Sequence, residues 1–175
     1  MAGLPGSGKS TLGARLGEAL GATLISVDPL ESAILSAGID ADQPTGLAAY
    51  LVAESLAHAV LTAGRPVVLD AVNAVVPARE QWTGLAERHG VPIGFVEVRC
   101  SDEALHRRRL EERHRGIPQV EEVGWHRVEE ALDEWEPWSG PSGSAPRITL
   151  DTVRPLAELR DEAIAFLERL APERA

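Results

Sequence analysis

Residues Gly3-Leu4-Pro5-Gly6-Ser7-Gly8-Lys9-Ser10 match the pattern G-x-x-x-x-G-K-[ST] at every fixed position. The residue types suit phosphate binding. Glycines let the backbone fold around an anion with its N–H groups turned inward. A lysine ammonium in this position reaches the β- and γ-phosphates of a nucleotide, and the Ser10 hydroxyl is a Mg²⁺ ligand. Lys9 is the only lysine of the chain; the other sixteen basic residues are arginines. The chain uses arginine wherever it needs only a positive charge, so a lysine inside a phosphate pattern is not read as surface charge. The nucleotide-contacting set is Gly3, Pro5, Gly6, Ser7, Gly8, Lys9, Ser10 and Thr11.

Two aspartates follow short apolar runs. Asp28 comes after Thr23-Leu24-Ile25-Ser26-Val27, and Asp70 after Val67-Val68-Leu69. Parallel sheets bind ligands beyond the carboxyl ends of their strands, where both aspartates would lie. Asp70 has the setting of a Mg²⁺-supporting carboxylate. Asp28 has two readings, a site carboxylate or the N-cap of a helix starting at Pro29. The third feature is His106–Arg115 (HRRRLEERHR), with five arginines in a chain of net charge −10. Arg109 and Arg113 are four apart and share a helix face. With Arg108 and Arg115 nearby, such a segment can bring cations to a transferring phosphoryl group, or it can be a solvated face paired with Glu111 and Glu112. Its charge suits a small anionic substrate better than a long polyanion. The overall acidity argues against nucleic acid as a general partner.

The elements that must position these residues alternate. A helix over Ser10–Leu20 follows the loop. Strand signals at 23–27, 66–69, 91–98 and 147–150 are separated by predicted helices at 29–37, 46–63, 77–89, 102–113 and 120–135, and a helix over 155–170 closes the chain. In the helix over 46–63, Leu47, Leu51, Leu56, Val60 and Leu61 are expected on the apolar side. Ser101 is expected to cap the helix after it, and 139–146 is expected as a loop. Trp125, Trp135 and Trp138 read either as packing residues or as platforms for a flat acceptor. The pattern predicts an α/β fold, a parallel sheet of about five strands covered by helices on both faces, in one domain spanning 1–175. A phosphate loop should follow a buried strand, yet only Met1 and Ala2 precede Gly3. The first strand is therefore expected to be truncated or missing, and the natural chain to begin several residues earlier.

The length suits one domain with a real core. No run of 18 apolar residues exists, Cys100 is the single cysteine, and no Cys/His cluster has metal-ligand spacing. A cytoplasmic setting is expected, and the histidines are expected at the surface or in packing.

GLPGSGKST, the strand ending at Asp28, VVLDAVN with Arg79 nine residues beyond Asp70, Arg109-x-x-x-Arg113 and Leu150-Asp151-Thr152 together resemble the AAA_33 type of P-loop kinase-like proteins. These are similar to the kinase domain of polynucleotide 5′-kinases, to chloramphenicol phosphotransferase and to zeta-toxin-like kinases. The resemblance runs over nearly the whole chain. It implies a P-loop NTPase fold with an arginine-bearing lid, here about 107–120, and ATP with Mg²⁺ as cofactors. It also implies roles: Asp28 as the base taking the acceptor hydroxyl proton, Lys9 and Ser10 on phosphate and Mg²⁺, Asp70, Asn73 and Arg79 on the acceptor side, Arg109 and Arg113 as lid arginines. The expected activity is transfer of the γ-phosphoryl of ATP to a hydroxyl of a small molecule. A polynucleotide or nucleotide kinase, and an ATP-hydrolysing regulatory protein, are the alternatives.

Overall fold

Among the described residues four strands, each built mostly of apolar or β-branched residues, run parallel in two pairs. The computed structural model describes residues 1–112 and 124–170. In it β1 (Thr23–Ser26) lies beside β2 (Val67–Asp70), in the register Thr23 with Val67 and Ser26 with Asp70. β3 (Phe95–Arg99) lies beside β4 (Arg147–Asp151), with Phe95 opposite Arg147 and Arg99 opposite Asp151.

Residues 1–3 join the two pairs. The Met1 nitrogen donates to the Leu69 carbonyl at 2.6 Å and Gly3 N–H to Val72 at 3.0 Å. On the other side Ala2 N–H donates to Val96 at 2.9 Å, and Val98 N–H donates back to Ala2 at 2.7 Å. Ala2 thus bridges in parallel to Glu97. Residues 1–3 occupy the place of a central strand, between β2 and β3. The order across the sheet is β1, β2, residues 1–3, β3, β4.

Helices cover both faces. On one, α1 (Lys9–Leu20) and α8 (Leu156–Glu168) bury Leu12, Leu16, Leu159 and Ala163 against Val68, Val96, Val98 and Leu150. Each large aliphatic side chain removed from water there is worth roughly 1.5–3 kcal/mol. On the other face, α2 (Val27–Ser36), α3 (Thr45–Thr62) and α4 (Val76–His89) pack Val27, Ala49, Ala53, Ala57, Trp82 and Leu85 around Ile25 and Phe95. The rest of the order is α5 (Glu103–Glu111), α6 (Trp125–Asp133) and the short α7 (Gly140–Ser144) before β4.

Four expectations are corrected. The buried face of α3 is its alanines; Leu47, Leu51 and Leu56 are 60%, 53% and 45% exposed. Small side chains bring the α3 backbone close to the sheet; Val60 and Leu61 pack against the same core as expected, and Leu47, Leu51 and Leu56 are left facing outward. The α5 N-cap is Asp102, whose Oδ1 accepts from Leu105 N–H at 2.9 Å, and not Ser101. The segment expected as a loop contains α7, one helical turn begun by Gly140 at φ 59° and Pro141. The strand expected from Val91 begins only at Phe95, since Val91 to Gly94 make no ladder.

Candidate functional site

The phosphate loop runs from residues 1–3 in mid-sheet to the first turn of α1. Gly3, Gly6 and Gly8 have φ of 149°, 77° and 96°. A side chain at Gly3 would run into the Val98 carbonyl, and one at Gly8 would press Thr152 Cγ2 at 3.2 Å. Glycine is required at both by conformation and by space. Gly8 stands at the α1 N-cap with no side-chain cap bond, so the first N–H groups of the helix are offered to an anion. Lys9 is buried to 3% exposure. The Ser7 hydroxyl is fully buried and has no hydrogen-bond partner among the described residues.

Two side chains outside the motif hold this loop. Thr152, just after β4, donates its hydroxyl to the Ser7 carbonyl at 2.8 Å and accepts from Arg109 at 2.7 Å. Arg109 also donates to the Thr152 carbonyl at 2.9 Å. On α5, the buried His106 places its Nε2 2.7 Å from the Pro5 carbonyl. The sequence offered Thr152 only through a short motif match, and His106 was expected to be a surface or packing residue. A lone histidine beside an arginine run carries no signal of what it touches.

Two clefts meet at the loop. The smaller, about 400 Å³, is lined by Gly6, Gly8, Lys9, Ser10, Thr11, Arg109, Thr152, Arg154, Leu156 and Leu159. The larger, about 1110 Å³, lies beyond the ends of β1 and β2. It is walled by α2 (Asp28, Glu31, Leu35), α3 (Gly46, Leu47, Tyr50), the loop after β2 (Ala71, Val72, Ala74), α4 (Pro77, Ala78, Gln81) and α6 (His126, Arg127, Glu130, Ala131), with Pro5 and Lys9 at its inner end. Lys9 lines both clefts.

Asp28 sits in the first turn of α2; Ser26, not Asp28, is the N-cap. That leaves its carboxylate on the cleft wall. Asp70 is buried. Its Oδ2 accepts from Ser26 Oγ at 2.8 Å, while Oδ1 has no partner among the described residues. Such an orphaned buried carboxylate oxygen, together with the Ser10 hydroxyl, fits a Mg²⁺ ion that keeps most of its waters. The Met1 amine is also buried. Burial lowers its pKa to about 6, with Asp70 opposing the shift and Lys9 reinforcing it.

Asn73 and Arg79 do not line either cleft. Asn73 is buried at φ 55°, and its amide donates to the Met1 carbonyl at 2.7 Å and accepts from Trp82 Nε1 at 2.9 Å. Arg79 is fully buried. It donates to the carbonyls of Asn73 (2.8 Å), Ala74, Glu136 (2.7 Å) and Pro137 (3.2 Å). Its guanidinium lies 4.3 Å from the ring centre of Trp138 and 5.4 Å from that of Trp135. Burial lowers the Arg79 pKa, with Glu97 and Glu136 acting against it. Their expected place on the acceptor side is thus corrected: both side chains are spent on backbone and indole partners. Trp125 stacks under Arg107 at 3.8 Å and meets His106 edge-on, so all three tryptophans pack against protein. Arg113 and Arg115, with most of the expected lid, lie outside the described residues.

The AAA_33 family profile, described as an AAA domain, matches residues 1–137. None of the curated proteins compared matches the chain in sequence. Among solved structures, a gluconokinase from Sinorhizobium meliloti 1021 is similar at 26% identity and a TM-score of 0.65, covering 97% of this chain and 90% of that one. A sugar kinase from Janibacter sp. HTCC2649 superposes at 18% identity and 0.70, covering 98% and 96%. Chaetomium thermophilum Kti12, in complex with ADP-AlF3, superposes at 21% identity and 0.72, covering 98% and 97%. The fold is that of the P-loop kinases, and the chain belongs to the AAA_33 family.

Proposed function

We propose that this protein is an ATP-dependent phosphotransferase that moves the γ-phosphoryl of MgATP to a hydroxyl of a small-molecule acceptor. The observation that carries the reading is Lys9, one buried ammonium forming the common wall of a phosphate-loop cleft and a second, larger cleft. A phosphoryl group held at Lys9 faces whatever lies beside Asp28. The acceptor oxygen bonds to the γ-phosphorus as the bond to the β–γ bridging oxygen breaks. Its proton passes to the Asp28 carboxylate, and ADP leaves. Lys9, with Arg109 at the edge of the nucleotide cleft, meets the charge of the transition state. Ser10 and Asp70 would hold Mg²⁺, which would neutralise the phosphate oxygens.

The similar structure that bears the name gluconokinase also supports a small hydroxylated acceptor. The net charge of −10 disfavours a polynucleotide.

The test is a mass-spectrometric screen for products that gain one phosphate from MgATP, followed by Asp28→Asn. The expected variant binds nucleotide normally and transfers nothing, because the lost interaction belongs to the transition state. Transfer at the wild-type rate would remove Asp28 from the mechanism. ATP turnover that never depends on an acceptor would remove the phosphotransferase reading itself.

A further inference from the structure

The charge of the larger cleft distinguishes one class of acceptor. Among the described residues, five carboxylates line it: Asp28, Glu31, Asp40, Glu130 and Glu134. Among the described residues its Lys and Arg cations are Lys9, at the phosphate end, and Arg127, which is already bound to Glu130 at 2.6 Å; His126 also stands on the wall. The arginine run that suggested an anionic substrate points elsewhere in its described part. Arg107 pairs with Glu103 at 2.9 Å and covers Trp125, and Arg109 is fastened to Thr152 beside the nucleotide cleft. Of the described arginines in this run, Arg109 lines the nucleotide cleft and none lines the larger one.

The walls are also ordered by polarity. Glu31 is fixed by the buried Thr45 hydroxyl, which donates to its Oε1 at 2.9 Å. Glu31 is three residues from Asp28, on the same face of α2. Glu130 and Glu134 are four apart and face the cleft from α6. Opposite them, Tyr50 accepts the Asn73 N–H at 3.1 Å and stacks on Trp82. Burial pushes its pKa up to about 12, so it stays a neutral phenol. Among the described residues its proton meets no acceptor, which leaves the hydroxyl on the cleft wall able to donate to a substrate oxygen. A carboxylate-bearing acceptor would face like charge on two walls; an ammonium would be met by both.

We propose that the acceptor is a hydroxylated amine, a small cation whose ammonium is held between the carboxylates of α2 and α6 while Tyr50 and Asp28 receive its hydroxyls. The inference rests on the reading of this cleft as the acceptor site. It assigns Glu31, Glu134 and Tyr50 as specificity-determining residues.

The experiment uses the full chain with MgATP and hydroxylated acceptors matched in carbon skeleton: an amino sugar, the neutral sugar and the corresponding sugar acid, within a wider set of amino alcohols, polyols and hydroxy acids. The expected order of kcat/KM is amine, then neutral, then acid, with the amine ahead of its neutral partner by about ten-fold, the equivalent of one well-placed charge pair. Glu31→Gln, which keeps an acceptor for Thr45, and Glu134→Gln should each lower the amine-to-neutral ratio through KM and leave the KM for ATP unchanged. The amine advantage should also shrink as ionic strength rises. Transfer to neutral or acidic members in preference to amines, or a ratio that ignores both substitutions, overturns the cationic acceptor and leaves the phosphotransferase reading standing. No transfer to any member by protein that binds ATP overturns both.

Discussion

Thr152 accepts from Arg109 with the hydroxyl that donates to the Ser7 carbonyl, so one side chain ties the phosphate loop to α5 and to the end of β4. Thr152→Val keeps the shape and loses both bonds. The expected cost is about 1–3 kcal/mol in chemical denaturation, with roughly ten-fold weaker ATP binding, and Thr152→Ser should restore both. Nucleotide affinity that does not change would show that the loop holds its form unaided. Arg79 makes the opposite case, a charged residue near the site that serves packing. Arg79→Met strips donors from four carbonyls and should cost about 3 kcal/mol or more in urea unfolding. Normal stability combined with a raised acceptor KM would return Arg79 to the acceptor side.

α3 shows where side-chain size, and not polarity, decides which face is buried. Its length was legible in the sequence, since Thr45 and Gly64 bracket a long apolar run. Its orientation was not, because alanines and leucines are both apolar and the helix has no polar stripe to mark the solvent side. Packing chose Ala49, Ala53 and Ala57. Leu47→Gln, Leu51→Gln and Leu56→Gln should each shift stability by no more than about 0.5 kcal/mol, whereas Ala53→Leu should cost about 1–3 kcal/mol by overpacking. A thermal or urea series separates the two faces, and equal sensitivity would reverse the assignment. The site was legible to a similar depth. The phosphate loop, Asp28 and Asp70 announce themselves because their positions are set along the chain, by a contiguous motif and by strand ends. Thr152 and His106 reach the phosphate loop, and Tyr50 and Glu134 the larger cleft, from distant elements, and their positions are fixed only by tertiary packing. The resemblance placed Asn73 and Arg79 on the acceptor side, but a motif match does not say which way a side chain turns.

At the scale of the whole molecule, two strand pairs are held together through residues 1–3. Ala2→Pro removes the N–H that reaches Val96 and should cost about 3 kcal/mol or more, seen as a lower unfolding midpoint; an unmoved midpoint would mean the halves are joined elsewhere. The far end of the sheet sets part of the acid limit. Burial alone would raise the Asp151 pKa, but hydrogen bonds from Ser101 and Val153 and the nearby Arg99 outweigh it and hold the carboxyl below its ordinary 3.8. This contribution is fully present above pH 3.8 and is lost as pH falls through the lower folded value. Asp151→Asn should therefore flatten the acid limb of a stability–pH curve while leaving its slope near neutrality unchanged, and an identical acid limb would place the titration on another group. Lys9 has one more consequence. A lysine-specific endoprotease has a single peptide bond to cut in this chain, Lys9–Ser10, and the structure closes that bond inside the first turn of α1. Cleavage must wait for local opening of that turn, so its rate reports the opening equilibrium of the phosphate loop, and bound nucleotide should slow it in proportion to its occupancy. The chain thus carries a one-site clock on its own nucleotide cleft, readable on a gel without any label.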